Sequence, residues 1–145
     1  MASEADLVLM DKERIVRSLN RMAHEIAEQN IDDQPIILFG IDERGYVVSQ
    51  ELADILKPLF EGNVQAVQLQ LEKGQADNAF QQFSKSSVSN QFIVAVDDVI
   101  FSGETMFKAL KAISDAIDPS EIYTAVLIDR GHRKFPIKAK FCGMG

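Results

Sequence analysis

The stretch from Phe92 to Thr105 reads FIVAVDDVIFSGET, and it decides the fold. Its first five residues form an apolar run, which predicts a strand buried on both faces of a parallel sheet. The run ends in the acidic pair Asp97 and Asp98, and a short polar turn then leads into a helical pattern. Polar turns between a buried strand and a helix are typical ligand sites in open α/β sheets.

The groups in this turn suit a sugar phosphate. Backbone N–H groups after Ser102, the hydroxyls of Ser102 and Thr105, and the small residue Gly103 could hold a phosphate at the start of a helix. The carboxylates of Asp97 and Asp98 could accept hydrogen bonds from vicinal hydroxyls. Alternatively, the two acids are a solvated strand end and Ser102 is an ordinary helix N-cap. Spacing alone leaves both interpretations open.

Length and composition favour a single globular domain. The 145 residues, 46% of them hydrophobic, are expected to form a single domain over residues 1–145. A formal net charge of −7 argues against broad nucleic-acid binding. One cysteine, Cys142, excludes an internal disulfide. No apolar run reaches the roughly 20 residues of a membrane helix and no signal pattern is present, so we expect a cytoplasmic protein without a membrane partner.

The rest of the chain alternates between strand and helix patterns, which predicts an α/β fold with a mostly parallel sheet flanked by helices. Helical patterns lie at Lys12–Asn30, from Val47 to before Pro58, and from Met106 to near Pro119. Strand patterns lie at Pro35–Ile41, Val64–Leu71, from Phe92, at Ile122–Ile128 and at Ile137–Phe141. The polar stretch Glu72–Asn90 is predicted to be a short flexible loop.

The sequence VDDVIFSGET at 96–105 resembles the phosphoribosyl pyrophosphate (PRPP) binding motif of type I phosphoribosyltransferases, which has Thr where Ser102 stands. The resemblance implies that family's fold. It also implies that Asp97 and Asp98 are catalytic residues that bind the ribose hydroxyls, directly or through a metal. The implied 5-phosphate site consists of Val99, Ile100, Phe101, Ser102, Gly103, Glu104 and Thr105.

The loop GIDERG at 40–45 resembles the pyrophosphate loop of the same family. The resemblance implies a diphosphate site made of Asp42, Glu43, Arg44 and Gly45. In it Arg44 is a further catalytic residue that holds diphosphate through its planar fork, and Gly45 lets the backbone turn close to the ligand. Arg-Gly by itself is a weak signal, and an ordinary turn is the alternative. Because Asp42 and Glu43 place two negative charges beside a diphosphate site, weak activity is expected.

The sequence AVLIDRGHRKFPI at 125–137 resembles the late signature of uracil phosphoribosyltransferases that double as pyrimidine-operon attenuators. It implies a loop on the base side or the diphosphate side, with Asp129, Arg130, His132 and Arg133. Purine phosphoribosyltransferases of the hypoxanthine type have an acid where Phe101 stands, and a phenylalanine cannot take a proton, so the resemblance favours a pyrimidine or no base chemistry. Alternatively, Phe101 only packs. The connection after the second strand is short for this family and contains only Lys73 and Lys85 as basic residues, so a reduced hood is expected.

The resemblance implies transfer of 5-phosphoribose from PRPP to a nucleobase, most readily uracil, with loss of diphosphate. Mg²⁺ would be carried by diphosphate and ribose oxygens, with no direct protein ligand or with Asp97 and Asp98 acting through ribose or water. The family forms dimers and larger homo-oligomers. The alternative is a PRPP- or nucleotide-binding regulator with little catalysis that binds RNA through basic residues 130–140. An unrelated doubly wound nucleotide-binding domain is a third interpretation.

Overall fold

Helices and strands alternate along the computed structural model, which describes residues 4–83 and 90–145. They are α1 Glu4–Gln29, β1 Ile36–Ile41, α2 Asp42–Leu56, a short 3₁₀ helix Lys57–Leu59, β2 Val64–Leu69, a second 3₁₀ helix Ala76–Phe80, β3 Phe92–Ile100, α3 Glu104–Ile117, β4 Tyr123–Asp129 and β5 Phe141–Met144. None of the helices within the described ranges has the length and apolarity to span a membrane.

The five strands form one sheet in the order β2, β1, β3, β4, β5, and every neighbouring pair is parallel. β3 is central, with Phe92 beside Ile36 of β1 and Val94 beside Tyr123 of β4. The predicted α/β class with a parallel sheet is therefore confirmed. Because parallel strands all end at the same edge, the residues that follow β1, β3 and β4 meet at one edge of the sheet, which we call the carboxyl edge.

Alternate residues of the inner strands supply two separate cores, one on each face of the sheet. On one face, Ile37, Phe39 and Ile93 pack with Met106 and Ile113 of α3. On the other, strand residues pack with α1 and α2. The second group includes Leu38, Val94, Val96, Met22, Ile26 and Leu52. Burial of both faces explains why β1 is apolar at every position instead of alternating.

Several predicted boundaries are wrong, including the start of α2, which is Asp42 and not Val47. α1 begins at Glu4, eight residues before the apolar stripe that predicted it, and β2 ends at Leu69 instead of Leu71. The stretch 72–83 is not a plain loop, since its 3₁₀ helix buries Phe80 against the ring of Phe39 at 5.4 Å. The remainder of the predicted flexible loop, 84–89, lies outside the described residues.

The last strand is Phe141–Met144, not Ile137–Phe141. Alternation of Ile137 and Ala139 with lysines suggested a strand. There, however, the backbone bonds with the hydroxyl of Thr124 instead of with the backbone of a neighbouring strand. This hydroxyl donates to the carbonyl of Lys138 at 3.1 Å and accepts from the N–H of Lys140 at 3.0 Å. Regular pairing with β4 starts only at Phe141, opposite Ala125.

Candidate active site

The acidic pair Asp97 and Asp98 lies near the carboxyl end of β3, where both side chains are partly buried. The N–H of Asp98 donates to Oδ1 of Asp97 at 2.9 Å, and the N–H of Val99 donates to Oδ1 of Asp98 at 2.9 Å. Each carboxyl group is therefore held by the backbone of the next residue. The remaining lone pairs of the two carboxyl groups can accept hydrogen bonds from a ligand.

Burial makes Asp97 an unusual acid. Loss of water is the largest cause, followed by the side-chain hydrogen bond and the negative charge of Asp98 and the charge of Asp42, and together they raise the pKa of Asp97 to about 8. The hydrogen bond from the Asp98 N–H acts in the opposite direction but is outweighed. At neutral pH the free protein therefore keeps Asp97 mostly protonated. A ligand or cation that neutralises this corner would favour ionisation.

Between β3 and α3 the backbone forms a small cup. Gly103 has φ +87°, a left-handed conformation that side chains disfavour, and α3 begins at the next residue. The N–H of Glu104 donates to the hydroxyl oxygen of Ser102 at 3.2 Å, and the hydroxyl hydrogen of Ser102 can still donate to a ligand. The cup has a volume of about 70 Å³ and is lined by Asp97 and residues 99–106. Its position at a helix N-terminus suits a phosphate.

The predicted pyrophosphate loop is the first turn of α2, because helix begins at Asp42 directly after β1. Asp42 has φ +52°, and its Oδ1 accepts a hydrogen bond from the N–H of Glu72 at 3.1 Å. Glu43 and Arg44 are exposed, and Nη1 of Arg44 lies 4.0 Å from Oδ2 of Asp98. Arg44 is 78% exposed, so the ion pair is a weak one that an anionic ligand can replace.

The structural role of Gly45 differs from the predicted one. It lies inside α2 and is buried, so it makes no turn. A Cβ atom at this position would be 2.6 Å from the carbonyl oxygen of Val96 and 3.3 Å from Oδ1 of Asp97. The absence of a side chain therefore lets α2 pack directly on β3 beside the acidic pair.

These elements enclose a cleft of about 380 Å³ at the carboxyl edge. Its lining residues are Ile41, Asp42, Glu43, Arg44, Leu71, Glu72, Asp97, Asp98, Thr105 and Lys108. The structure thus brings the acidic pair together with Asp42, Glu43 and Arg44, as predicted. Sequence reasoning missed Leu71, Glu72 and Lys108, although Lys108 follows Thr105 by three residues and so shares its face of the helix.

The loop after β4 is fastened to the cup. The N–H groups of Lys134 and Phe135 donate to the carbonyl of Ser102 at 2.8 and 2.9 Å. The guanidinium of Arg133 donates to Oδ2 of Asp129 at 2.7 Å, and to the carbonyls of Phe101 and Ile137 at 2.8 Å each. The hydrogen bond from Arg133 to Asp129 and the one from the Gly131 N–H hold the pKa of Asp129 below its ordinary value. Arg133 and Asp129 therefore shape the loop, and their contact with a ligand stays a prediction.

Two other predicted residues of this loop face solvent beside the cup. Arg130 is exposed, and its guanidinium carbon lies 5.9 Å from the ring centroid of Phe101, within the range of a cation–π contact. Phe101 is itself 54% exposed, an unusual state for a phenylalanine. His132 is exposed and has φ +58°. The edge of the cup therefore carries an open aromatic and cationic surface.

Comparison with known proteins fits this geometry. Residues 9–144 match the phosphoribosyl transferase domain, and the chain belongs to that family. Its relatives include proteins named Bifunctional protein PyrR. The one from Pelotomaculum thermopropionicum is 41% identical over 143 residues, covering 93% of this chain and 79% of the relative. The one from Ligilactobacillus salivarius is 36% identical over 145 residues, covering 93% and 82%.

Solved structures show the same fold. An HGPRT-ase from Leishmania tarentolae in complex with GMP has a TM-score of 0.73 at 22% identity, covering 91% of this chain and 76% of that one. A hypoxanthine-guanine-xanthine phosphoribosyltransferase has a TM-score of 0.66 at 16% identity. The predicted resemblance to type I phosphoribosyltransferases is confirmed, and the chain is an enzyme of the phosphoribosyltransferase class. The third interpretation, an unrelated nucleotide-binding domain, is wrong.

Proposed function

We propose that the protein transfers 5-phosphoribose from PRPP to uracil and releases diphosphate. The observation that carries the proposal is that the cup and the larger cleft adjoin, since Asp97 and Thr105 line both. A ligand with a phosphate in the cup would have its pentose at the acidic pair and a second anionic group toward Arg44. PRPP has its groups in this order.

Each part of PRPP has a set of partners. The 5-phosphate accepts from backbone N–H groups and hydroxyls of the stretch Val99–Thr105. The ribose hydroxyls donate to Asp97 and Asp98. The diphosphate binds Arg44 and replaces Asp98, which lies 4.0 Å from Arg44, as the partner of its guanidinium. Asp42, Glu43 and Glu72 also line the cleft, and their charges oppose a diphosphate. Their presence supports weak activity.

Catalysis in this site is mainly positioning and charge stabilisation. The bond from the ribosyl carbon to diphosphate breaks with its electron pair on the leaving oxygen, and the carbon gains oxocarbenium character. A ring nitrogen of uracil forms the new bond and loses its proton to solvent. The protein holds the two reactants in line and stabilises the separating charges, and no covalent enzyme intermediate is required.

The chemistry of the cleft fits a magnesium complex of PRPP. Among the described residues, five acids line it against two cations. Burial, together with the neighbouring acids Asp98 and Asp42, raises the pKa of Asp97 to about 8, and a divalent cation would favour its ionised form. Within residues 4–83 and 90–145, acids, histidines and the cysteine form no group of three placed to hold a metal. Diphosphate and ribose oxygens would therefore hold the ion, with Asp97 and Asp98 reaching it through ribose or water. When bound, Mg²⁺ neutralises charge on the leaving group.

The edge of the cup supports a pyrimidine. Phe101 offers a ring face for stacking and no proton acceptor, and Arg130 can donate to a ring carbonyl. The loop with His132 stands beside them, and Asp129 and Arg133 hold its shape. Uracil has carbonyl acceptors that match this donor, whereas a nucleobase that needs a carboxylate to take its ring proton would find none at Phe101.

A second candidate function is RNA binding, which would make the protein a regulator. Its support is the exposed basic group on the segment 130–140, together with relatives whose name is bifunctional. The group consists of Arg130, Lys134, Lys138 and Lys140. Binding of structured RNA should weaken steeply with salt, and absence of binding at low salt would remove this candidate.

The proposal includes a cytoplasmic homodimer or larger homo-oligomer. Support for assembly comes from Val16 of α1 and Val47 of α2, which are half exposed on two helices that pack together. Support for the location is the free thiol of Cys142. Light scattering tests the assembly, and a monomer at micromolar concentration would contradict it.

Release of diphosphate with PRPP, Mg²⁺ and a panel of bases tests the main proposal. We expect turnover with uracil and little or none with cytosine or purines. Saturable PRPP binding without turnover for any base would favour the regulator. Turnover with hypoxanthine or guanine alone would contradict the pyrimidine assignment.

A further inference from the structure

Among the described residues, Lys108 is the one cation of the large cleft that the sequence motifs do not assign. It lies in the second turn of α3, three residues after Thr105, and both side chains line the cleft with Arg44 and Asp98. Lys108 is exposed, so its ammonium can move toward a ligand without loss of packing. At this place in the cleft, Lys108 can bind an anionic group of a ligand.

The two cations of the cleft arrive from opposite faces of the sheet. Arg44 is on α2, which packs on the same face as α1, whereas Lys108 is on α3, which covers the other face. Their side chains therefore approach the carboxyl edge from both sides of β3. This arrangement can bind one extended anion from two sides, which a single arginine cannot do.

Lys108 is also available for such a ligand. Of the carboxylates in the described residues, none lies within 4 Å of its ammonium, even though Glu104 precedes it by one helical turn. Arg44, by contrast, faces Asp98 at 4.0 Å. The connection between β2 and β3 adds only Lys73 and Lys85, and Lys73 does not line the cleft.

We propose that Lys108 binds the diphosphate of PRPP together with Arg44, and stabilises the negative charge that develops on it as the bond to ribose breaks. This inference rests on the proposed function, since it assigns a residue to the same ligand. Lys108 supplies charge from the helix side in a cleft where acids outnumber bases. Its effect must then be confined to ligands that carry the diphosphate.

Paired titrations of PRPP and ribose 5-phosphate, both with Mg²⁺, separate this role from a general one. Ribose 5-phosphate retains the phosphate and the hydroxyls but lacks diphosphate. For Lys108→Gln we expect PRPP to bind about tenfold more weakly and ribose 5-phosphate to bind within about twofold of the unaltered protein. Lys108→Arg should recover most of the PRPP affinity because it keeps the charge.

Lys111→Gln is the matched control, because Lys111 is exposed on the same helix and does not line the cleft. It should leave both affinities unchanged. Equal PRPP affinity in the two glutamine variants would overturn the inference, and so would equal weakening of both ligands by Lys108→Gln. If the unaltered protein binds ribose 5-phosphate but gains nothing from the diphosphate of PRPP, the proposed function fails and this inference fails with it.

Discussion

The sheet has a cleft at each of its two edges, and only one has the chemistry for a sugar phosphate. The carboxyl-edge cleft has a volume of about 380 Å³, and the cleft at the opposite, amino edge has about 300 Å³. Among the residues that the structure describes, the amino-edge lining contains Asp32 and Glu121 and no lysine or arginine. Size therefore does not identify the site.

Helix direction explains much of the contrast. α2 and α3 begin at the carboxyl edge and turn their N–H groups toward it, while α1 and α3 end near the amino edge and turn carbonyl groups that way. Polar groups at the amino edge are already paired, since the Asn30 side chain bonds with both the N–H and the carbonyl of Gln34. The Tyr123 hydroxyl donates to Glu121 at 2.5 Å. In the described part of the chain, the helix N-termini and cations that suit an anion lie at the carboxyl edge.

Loss of the central carboxylate should have the largest effect. Asp98→Asn removes the charge that accepts from ribose hydroxyls, and we expect PRPP and ribose 5-phosphate to bind about 100-fold more weakly. Glu121→Gln at the amino edge is the control and should change neither affinity. Calorimetric titration with both variants checks this, and normal binding of PRPP by Asp98→Asn would refute the ribose assignment.

Arg44→Gln should have the next largest effect, limited to the diphosphate. The planar guanidinium is lost and Asp98 loses its nearest cation, so PRPP should bind about 30-fold more weakly while ribose 5-phosphate changes little. Inhibition by inorganic diphosphate should weaken in the same ratio. Should ribose 5-phosphate suffer as much as PRPP, Arg44 acts on the phosphate cup and not on the diphosphate.

Asp97→Asn should reveal the cost of burying an acid at the carboxyl edge. The folded-state pKa of about 8 lies above the ordinary value of 3.8, so the stability linked to this proton is complete below about pH 4 and is lost as pH rises through 8. The variant should match the unaltered protein near pH 4 and exceed it by about 1–3 kcal/mol in free energy of unfolding at pH 9. Urea unfolding at the two pH values measures the difference.

The matched control for this pH series is Asp32→Asn, an exposed aspartate at the amino edge. Its difference from the unaltered protein should not grow between pH 4 and pH 9. An Asp97→Asn difference that is the same at both pH values would show that the carboxyl group is not held protonated in the fold.

The smallest expected effect is a gain of affinity. Glu104 lines the phosphate cup at the first position of α3, where its charge favours the helix but opposes a bound phosphate. Glu104→Gln should bind ribose 5-phosphate about threefold more tightly and have a slightly lower melting temperature. The gain should fade at high salt, since the side chain is exposed. Unchanged affinity at low salt would place the phosphate away from this helix.

Buried strands were the predictable part of the molecule. The apolar runs of β1 and β3 are buried on both faces. A run of that kind is typical of an inner strand of a parallel sheet that helices cover on both faces. Once the strands are parallel, Asp97, Asp98 and Arg44 must meet at the carboxyl edge, which the structure confirms. Local pattern and topology together were enough for this part of the site.

Features that depend on distant contacts could not be predicted. The sequence places Gly45 in a turn, and only the packing of α2 on Val96 shows that it is a helix–strand contact. The hydrogen bonds of Arg133 depend on a loop in which Gly131 and His132 both have positive φ. The helical pattern shows which face of α3 carries Lys108. Whether that face borders a cleft depends on how the strands are placed beside the helix, which the local sequence does not show.

A crystal structure with ribose 5-phosphate bound tests the central claim most directly. We expect the phosphate in the cup formed by residues 99–106, with the ribose hydroxyls within hydrogen-bond distance of Asp97 and Asp98. A phosphate bound at the amino edge, or anywhere else with the cup empty, would contradict it.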